Sequence, residues 1–320
     1  MNVKRLELFD YFFITRPILF IPGWATLLAG YAAGLGHQMI ISQIKEGQWL
    51  IDWWHPQLAV VLTSFTAAMA ASFIFNQLQD ISSDQKNNKL FLFGNGFISK
   101  RAGYIEAWLL MAAALVLALL IHFRIFISVL MFIGITGYAY NFSPFRFKDK
   151  PLAGVFANMA MGWLAFVTGW LVVESASLQL VLSSLPYLFF NTALYFLTTL
   201  PDMHGDETAH KITFPIRYGK IFTIYISALC VALALLLSIW LRNEFMLIVS
   251  AFTMPFYMML LFKQSIPWTL FTIKAGISIF ALLISVQFPL LFLAMAALFF
   301  FTRFYYKHRF QFDYPNFKGQ

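Results

Sequence analysis

Runs of about twenty apolar residues recur along this chain, and they restrict its fold more than any other feature, because a helix of that length matches the hydrocarbon thickness of a bilayer. They start near Pro17, Leu58, Tyr104, Phe126, Leu152, Leu182, Ile221, Phe245 and Leu270. The last run, Leu270 to Phe301, is too long for one span and contains Pro289. A proline inside a helix removes a backbone hydrogen bond and clashes with the preceding turn, so a break near Gln287 and a further helix after Pro289 are expected. The expected fold class is all-α, a polytopic membrane helical bundle of nine transmembrane helices, or ten if the run after Pro289 also spans.

Composition agrees with this reading. Of 320 residues, 60% are hydrophobic and only 11% charged, and the mean hydropathy is +0.73. A soluble domain carries about a quarter charged residues, so a soluble globule, a disordered chain and a collagen-like rod are excluded. The excess of 22 Lys and Arg over 14 Asp and Glu lies mostly in short segments between apolar runs, which points to membrane orientation and not to nucleic-acid binding. Taking alternate connections, 18 basic residues fall on one side, among them Lys86, Lys148, Lys211 and Arg309, and three on the other, Lys45, Arg124 and Arg242. Lys274 remains inside a span. The positive-inside rule places the rich side in the cytoplasm. The N-terminal segment has Lys4 and Arg5 but no clean apolar core or small-residue cleavage site, so a mature bacterial or archaeal cell-membrane protein is expected. Cys230 is the sole cysteine, which excludes an internal disulfide and a cysteine metal cluster.

Acidic residues are scarce, and those present are placed regularly. After the second run, Asn76, Asp80 and Asp84 are spaced four apart. On a helix of about 3.6 residues per turn each step of four advances only about 40°, so the three oxygen-bearing side chains share one face. Such hard donors suit Mg²⁺, which binds substrate phosphates, although the same pattern also fits a solvated helix exit. After the sixth run, Asp202 and Asp206 again lie one turn apart, with Lys211 beyond them. Both clusters follow even-numbered runs and so share a membrane face. Facing Asp pairs beside cations are what a diphosphate needs: carboxylates hold metals, metals bridge phosphate oxygens, and cations take the remaining charge. A third segment on this face, Tyr140 to Lys148, offers Arg146 and Lys148 to phosphate and the Tyr140 hydroxyl as a donor; interface anchoring is its plainer reading.

These residues resemble the intramembrane prenyltransferase superfamily of UbiA type, whose members carry NxxxDxxxD after the second helix and DxxxD after the sixth. NQLQDISSDQKNNK and PDMHGD are close to the forms of the homogentisate prenyltransferase and chlorophyll synthase-like branch, and YNFSPFRFK is similar to its middle segment. The resemblance spans about residues 15–285 of a single integral membrane domain, with 286–320 as a C-terminal extension. It implies a bundle around a central cavity, in which two Mg²⁺ ions hold a polyprenyl diphosphate. It further implies Asn76, Asp80, Asp84, Asp202 and Asp206 as metal ligands, the four aspartates being catalytic, and Asn76, Lys89, Tyr140, Arg146, Lys148 and Lys211 as diphosphate-binding. His204 and His210 depart from the common pattern and are read as second-motif neighbours facing solvent or the ligands.

The activity this implies is Mg²⁺-dependent transfer of a polyprenyl group to an aromatic or lipid-like acceptor within the bilayer, with release of diphosphate. An intramembrane terpene cyclase would use the same diphosphate site without an acceptor. A cation transporter is the competitor from another class, and it needs polar residues near the bilayer midplane, where these spans are almost wholly apolar. Most of the 38 Phe are read as lipid contact and packing. His37, His55 and His122 are read as hydrogen-bonding groups at the opposite interface.

Overall fold

The structure is a computed structural model that describes residues 7–36, 56–86, 92–209 and 211–315, and their side chains apart from 82–86. The apolar runs become helices α1 (Phe20–Gly34), α2 (Pro56–Lys86), α3 (Lys100–Ile121), α4 (Phe123–Phe132), α5 (Pro151–Trp170), α6 (Leu178–Thr198), α7 (Lys220–Trp240), α8 (Glu244–Lys263), α9 (Ile266–Gln287) and α10 (Pro289–Phe310). Among the described residues, nine helices are long and apolar enough to cross a membrane, the first counted from Asp10 to Gly34. The remaining apolar element is shorter, α4 continued to Ala139 by a π-helical stretch.

Helix starts follow local chemistry. Side chains of Ser99, Ser177 and Asn243 accept hydrogen bonds from the backbone amides of Ala102, Leu180 and Met246. His122 does the same for Arg124 through Nδ1, so this expected interface histidine is a helix cap; His37 and His55 lie outside the described residues. The long final run divides at Phe288, between Gln287 and Pro289, and α9 begins four residues before Leu270 with Pro267 in its first turn, so two full-length helices fit.

Which face each connection occupies can be read from contacts. Asp10, at the start of the first span, pairs with Arg309 at the end of α10, and Gln77 near the end of α2 donates to the Ile14 carbonyl. The α3–α4 junction meets the α5–α6 junction at the other face, where Arg124 donates to Ser175. The first and last helices therefore begin and end at one face, which fits an even number of crossings; among the described residues, α10 is the tenth apolar helix when the shorter α4 is counted.

Packing between spans relies on small residues and hydroxyls, as expected where lipid supplies no hydrophobic contrast. α1 and α5 meet backbone to backbone: a Cβ on Gly30 would run into the Phe166 carbonyl, and one on Gly169 into that of Leu27. Ser64 donates to Ala114 O, Ser227 donates to Ala193 O, and Ser128 and Thr168 share a hydrogen bond. α3 and α10 are peripheral, with 17% and 22% of their apolar stretches buried against 61% for α2 and α6.

Candidate active site

Helix ends at the motif face supply the site. α2 continues unbroken to Lys86, so positions 76, 80 and 84 occupy successive turns of one helix; the side chain of Asp84, and all of Lys89 and His210, lie outside the described residues. α4 ends differently. From Ile133 to Ala139 its hydrogen bonds lengthen to the π pattern, and the Tyr140 amide donates to Ile135 O at 2.8 Å. Such widened turns recur at functional sites because they re-aim side chains. Here the turn ends in Tyr140 and the buried Asn141, whose amide group donates to the carbonyls of Thr136 and Gly137.

From α6 the chain passes through Asp202 into the short helix Met203–Thr208 and returns to Lys211. These segments converge on a polar cavity of about 230 Å³ lined by Asn76, Asp80, Tyr140, Lys148, Asp202, Asp206 and Lys211, together with Arg16, Asn158, Tyr195 and threonines. Seven residues expected at the site thus meet in one place. Arg146 does not line the cavity: its guanidinium pairs with Asp149 at 2.8 Å, and its side chain is 48% exposed. His204 is exposed.

Asp80 is the electrostatic centre. Lys148 Nζ lies 2.9 Å from Oδ2, Lys211 Nζ 2.9 Å from Oδ1, and Asn76 donates to Oδ2 at 3.0 Å. Lys211 also approaches Asp206 at 3.6 Å, and Asn76 bonds Asn141 at 3.2 Å, joining the ends of α2, α4 and α6. The two ammoniums respond oppositely. Burial holds Lys148 below its ordinary range even with Asp80 beside it. For Lys211, burial also pulls downward, but the attraction of Asp80, Asp206 and Asp149 outweighs it and raises the group. Burial, the Tyr195 phenol and the Asp80 charge push the Tyr140 phenol well above its ordinary value, which keeps it a protonated donor.

The donor set fits a hard divalent cation. Asp80, Asp202, Asp206 and Asn76 offer oxygen, and among the described residues neither imidazole nor thiol lines the cavity. Among the described residues no three carboxylate, imidazole or thiolate groups converge as a metal cluster, and the Asp80 carboxylate is paired with two lysines. Arg16, Asn158 and Tyr195 were not expected from sequence. Arg16 had counted only towards orientation, and its place before Pro17, at a corner between two helices, was its one local signal.

Beside the polar cavity lies an apolar one of about 600 Å³ between α1, α2 and α10, with Phe20, Trp24, Leu62, Ala67, Ala70 and Leu291 in its wall. Thr15 lines this cavity and Arg16 the polar one, so consecutive residues contribute to the two walls.

Helices of membrane-spanning length gather acidic and basic side chains at one end, a site able to hold a metal-bound anion. The model of the UbiA prenyltransferase family matches residues 39–269, and the chain belongs to that family; it is a prenyltransferase. Solved structures share the fold. A UbiA homologue from Archaeoglobus fulgidus bound to DMAPP and Mg²⁺ superposes with a TM-score of 0.65 at 23% identity, covering 88% of this chain and 99% of that one. A digeranylgeranylglyceryl phosphate synthase gives 0.63 at 19%, covering 88% and 98%. The apo UbiA homologue from Aeropyrum pernix K1 gives 0.62 at 15%, covering 84% and 97%. No curated protein matches the chain. α10 lies beyond the residues that the family model matches.

Proposed function

We propose that the protein transfers a polyprenyl group from an allylic polyprenyl diphosphate to an acceptor held at the membrane interior, releasing diphosphate. The observation that carries this reading is the convergence of Asp80, Asp202 and Asp206 with Lys148, Lys211 and Arg16 on one cavity that adjoins an apolar one. An anionic head and a long apolar tail need these two compartments side by side.

Mg²⁺, as two ions held by Asp80, Asp84, Asp202, Asp206 and Asn76, would supply Lewis-acid neutralisation of the departing diphosphate. Lys148, Lys211 and Arg16 bind its remaining oxygens, and the protonated Tyr140 phenol donates a hydrogen bond there. The allylic C–O bond breaks with its electron pair staying on the diphosphate oxygen. The acceptor's nucleophilic atom then bonds to the allylic carbon and sheds a proton. Apolar walls around Phe20, Trp24 and Ala70 hold the isoprenoid chain and keep water from the cation.

An aromatic acceptor is favoured by the spellings NQLQDISSDQKNNK and PDMHGD, which resemble the homogentisate prenyltransferase and chlorophyll synthase-like branch. A lipid-like acceptor is the other class, represented by the digeranylgeranylglyceryl phosphate synthase of similar fold. Residues 1–320 act as one catalytic unit with 286–320 as an extension, and the 18 to 3 bias in basic residues supports a cytoplasmic site in a cell membrane. The test is incubation of the purified protein with Mg²⁺, geranylgeranyl diphosphate and a panel of aromatic and lipid-like acceptors, followed by mass spectrometry of the organic phase. A prenylated acceptor that vanishes with chelator is expected. An isoprenoid hydrocarbon formed without acceptor would mean a cyclase, and chelator-insensitive cation flux without organic product a transporter.

A further inference from the structure

Arg16 holds an unusual backbone position. Its φ of 53° and ψ of 57° are left-handed, uncommon for a side chain-bearing residue, and Pro17 follows, which also restricts it. Such a conformation persists where its surroundings hold it. From within the segment, Thr15 donates to Phe12 O and the Leu19 amide to Arg16 O. From α2, Gln77 donates to Ile14 O at 2.6 Å. Further contacts come from α10.

Several α10 contacts fall on the turn just before the Arg16 corner. Asp10 is 2% exposed, and its carboxylate accepts from the Tyr305 hydroxyl at 2.5 Å and from Arg309 Nε and Nη2 at 3.3 and 3.2 Å. A buried carboxylate needs such partners, so these bonds tie residues 10–13 to the last helix. The Tyr305 ring stacks on Phe13 at 3.7 Å, and Phe301 packs against Phe9, Phe12 and Phe13. Arg309 lies over the Phe97 ring at 5.0 Å, anchoring the same end of α10 to the segment after α2. Beyond α10, Tyr314 feels the Arg16 charge, which pulls its phenol down against the larger upward push of burial.

We infer that α10 is a positioning element for the donor: the clamp of Asp10, Tyr305 and Arg309 fixes the left-handed Arg16 corner that delivers a guanidinium to the diphosphate cavity. This rests on the proposed donor site. Arg16 is the binding group, and Tyr305 and Arg309 act through it. A helix outside the family-matched residues thereby shapes affinity for the diphosphate head.

The test is calorimetric titration of the full-length protein with geranyl diphosphate in Mg²⁺, with a melting curve for each variant. Arg16→Ala and Arg309→Gln should each weaken binding by about tenfold, the scale of one charge-assisted contact. The double variant should bind no worse than Arg16→Ala alone, because both changes remove one interaction. Arg309→Lys should recover part of the affinity. Tyr305→Phe keeps the ring stack and loses only the hydroxyl bond, so a smaller weakening with a near-normal melting temperature is expected, and it decides the matter if Arg309→Gln fails to fold. Lower melting temperatures with unchanged affinity, or additive losses in the double variant, would overturn the inference. If the wild-type protein binds no geranyl diphosphate, the donor site itself is wrong and the inference falls with it; if it binds and the clamp variants bind equally well, the inference alone falls.

Discussion

Lys148 and Arg146 leave one loop two residues apart with the same charge, and they end in opposite surroundings. The Lys148 side chain is 4% exposed and sits on Asp80 at 2.9 Å, whereas that of Arg146 is 48% exposed and pairs with Asp149. The backbone makes the difference. Arg146 occupies a left-handed corner at φ 41°, the turn Phe147–Asp149 follows, and the Lys148 amide donates back to Tyr140 O, which directs Lys148 towards the ends of α2 and α4. A basic loop therefore contributes to an anion site one residue at a time.

The largest expected effect comes from removing what Lys148 faces. Asp80→Ala deletes a proposed metal ligand and should lower product formation by at least about 10²–10³-fold, the scale for losing a preorganised charge-stabilising group. It also strands the buried Lys148 ammonium near Lys211, and breaking a buried pair costs about 3–5 kcal/mol. Thermal unfolding in detergent should record a clear loss. Asp202→Ala, at a half-buried position, should lose comparable activity with a smaller stability change. Equal melting temperatures for the two variants would show that Asp80 does not hold the lysines together.

Next is Lys148 itself. Lys148→Met keeps the chain's bulk and leaves Asp80 bonded to Lys211, so the bundle should survive while donor affinity falls by about 1.5–3 kcal/mol. A donor titration reads this directly. Tyr140→Phe should cost less, about 0.5–1.5 kcal/mol in the same titration, because one neutral hydroxyl is lost. An affinity unchanged in both variants would remove the α4 end from donor binding.

These contrasts also mark how far the sequence could be read. The apolar runs, the break at Pro289 and the spacing of Asn76, Asp80, Asp202 and Asp206 depend on local periodicity, and each has its counterpart in the helices and the cavity. Arg146 and Lys148 were indistinguishable as letters, because their separation depends on a left-handed corner at a non-glycine residue, which the letters do not announce. Arg16 was hidden for the same reason: it comes into view as a cavity residue once α10 is seen packed on Phe13 and Asp10. The π-helical end of α4 has no periodic signature, and its role rests on Asn141 reaching across to Asn76.

The smallest expected effect is at Arg146, where the resemblance implied a diphosphate contact. Its ion pair with Asp149 is exposed on the arginine side, and exposed pairs are worth about 0.2–1 kcal/mol. Arg146→Ala should therefore cost at most about 1 kcal/mol of stability, a loss that shrinks at high salt as the pair is screened. Arg146→Gly should be milder still, since glycine adopts the left-handed corner without strain and recovers part of what the lost pair gave. Neither change should alter donor affinity, measured beside Lys148→Met under the same conditions. A drop in affinity comparable with that of Lys148→Met would mean that the Arg146 side chain swings into the cavity when the donor binds, and the two cations would then share the role that their surroundings here divide between them.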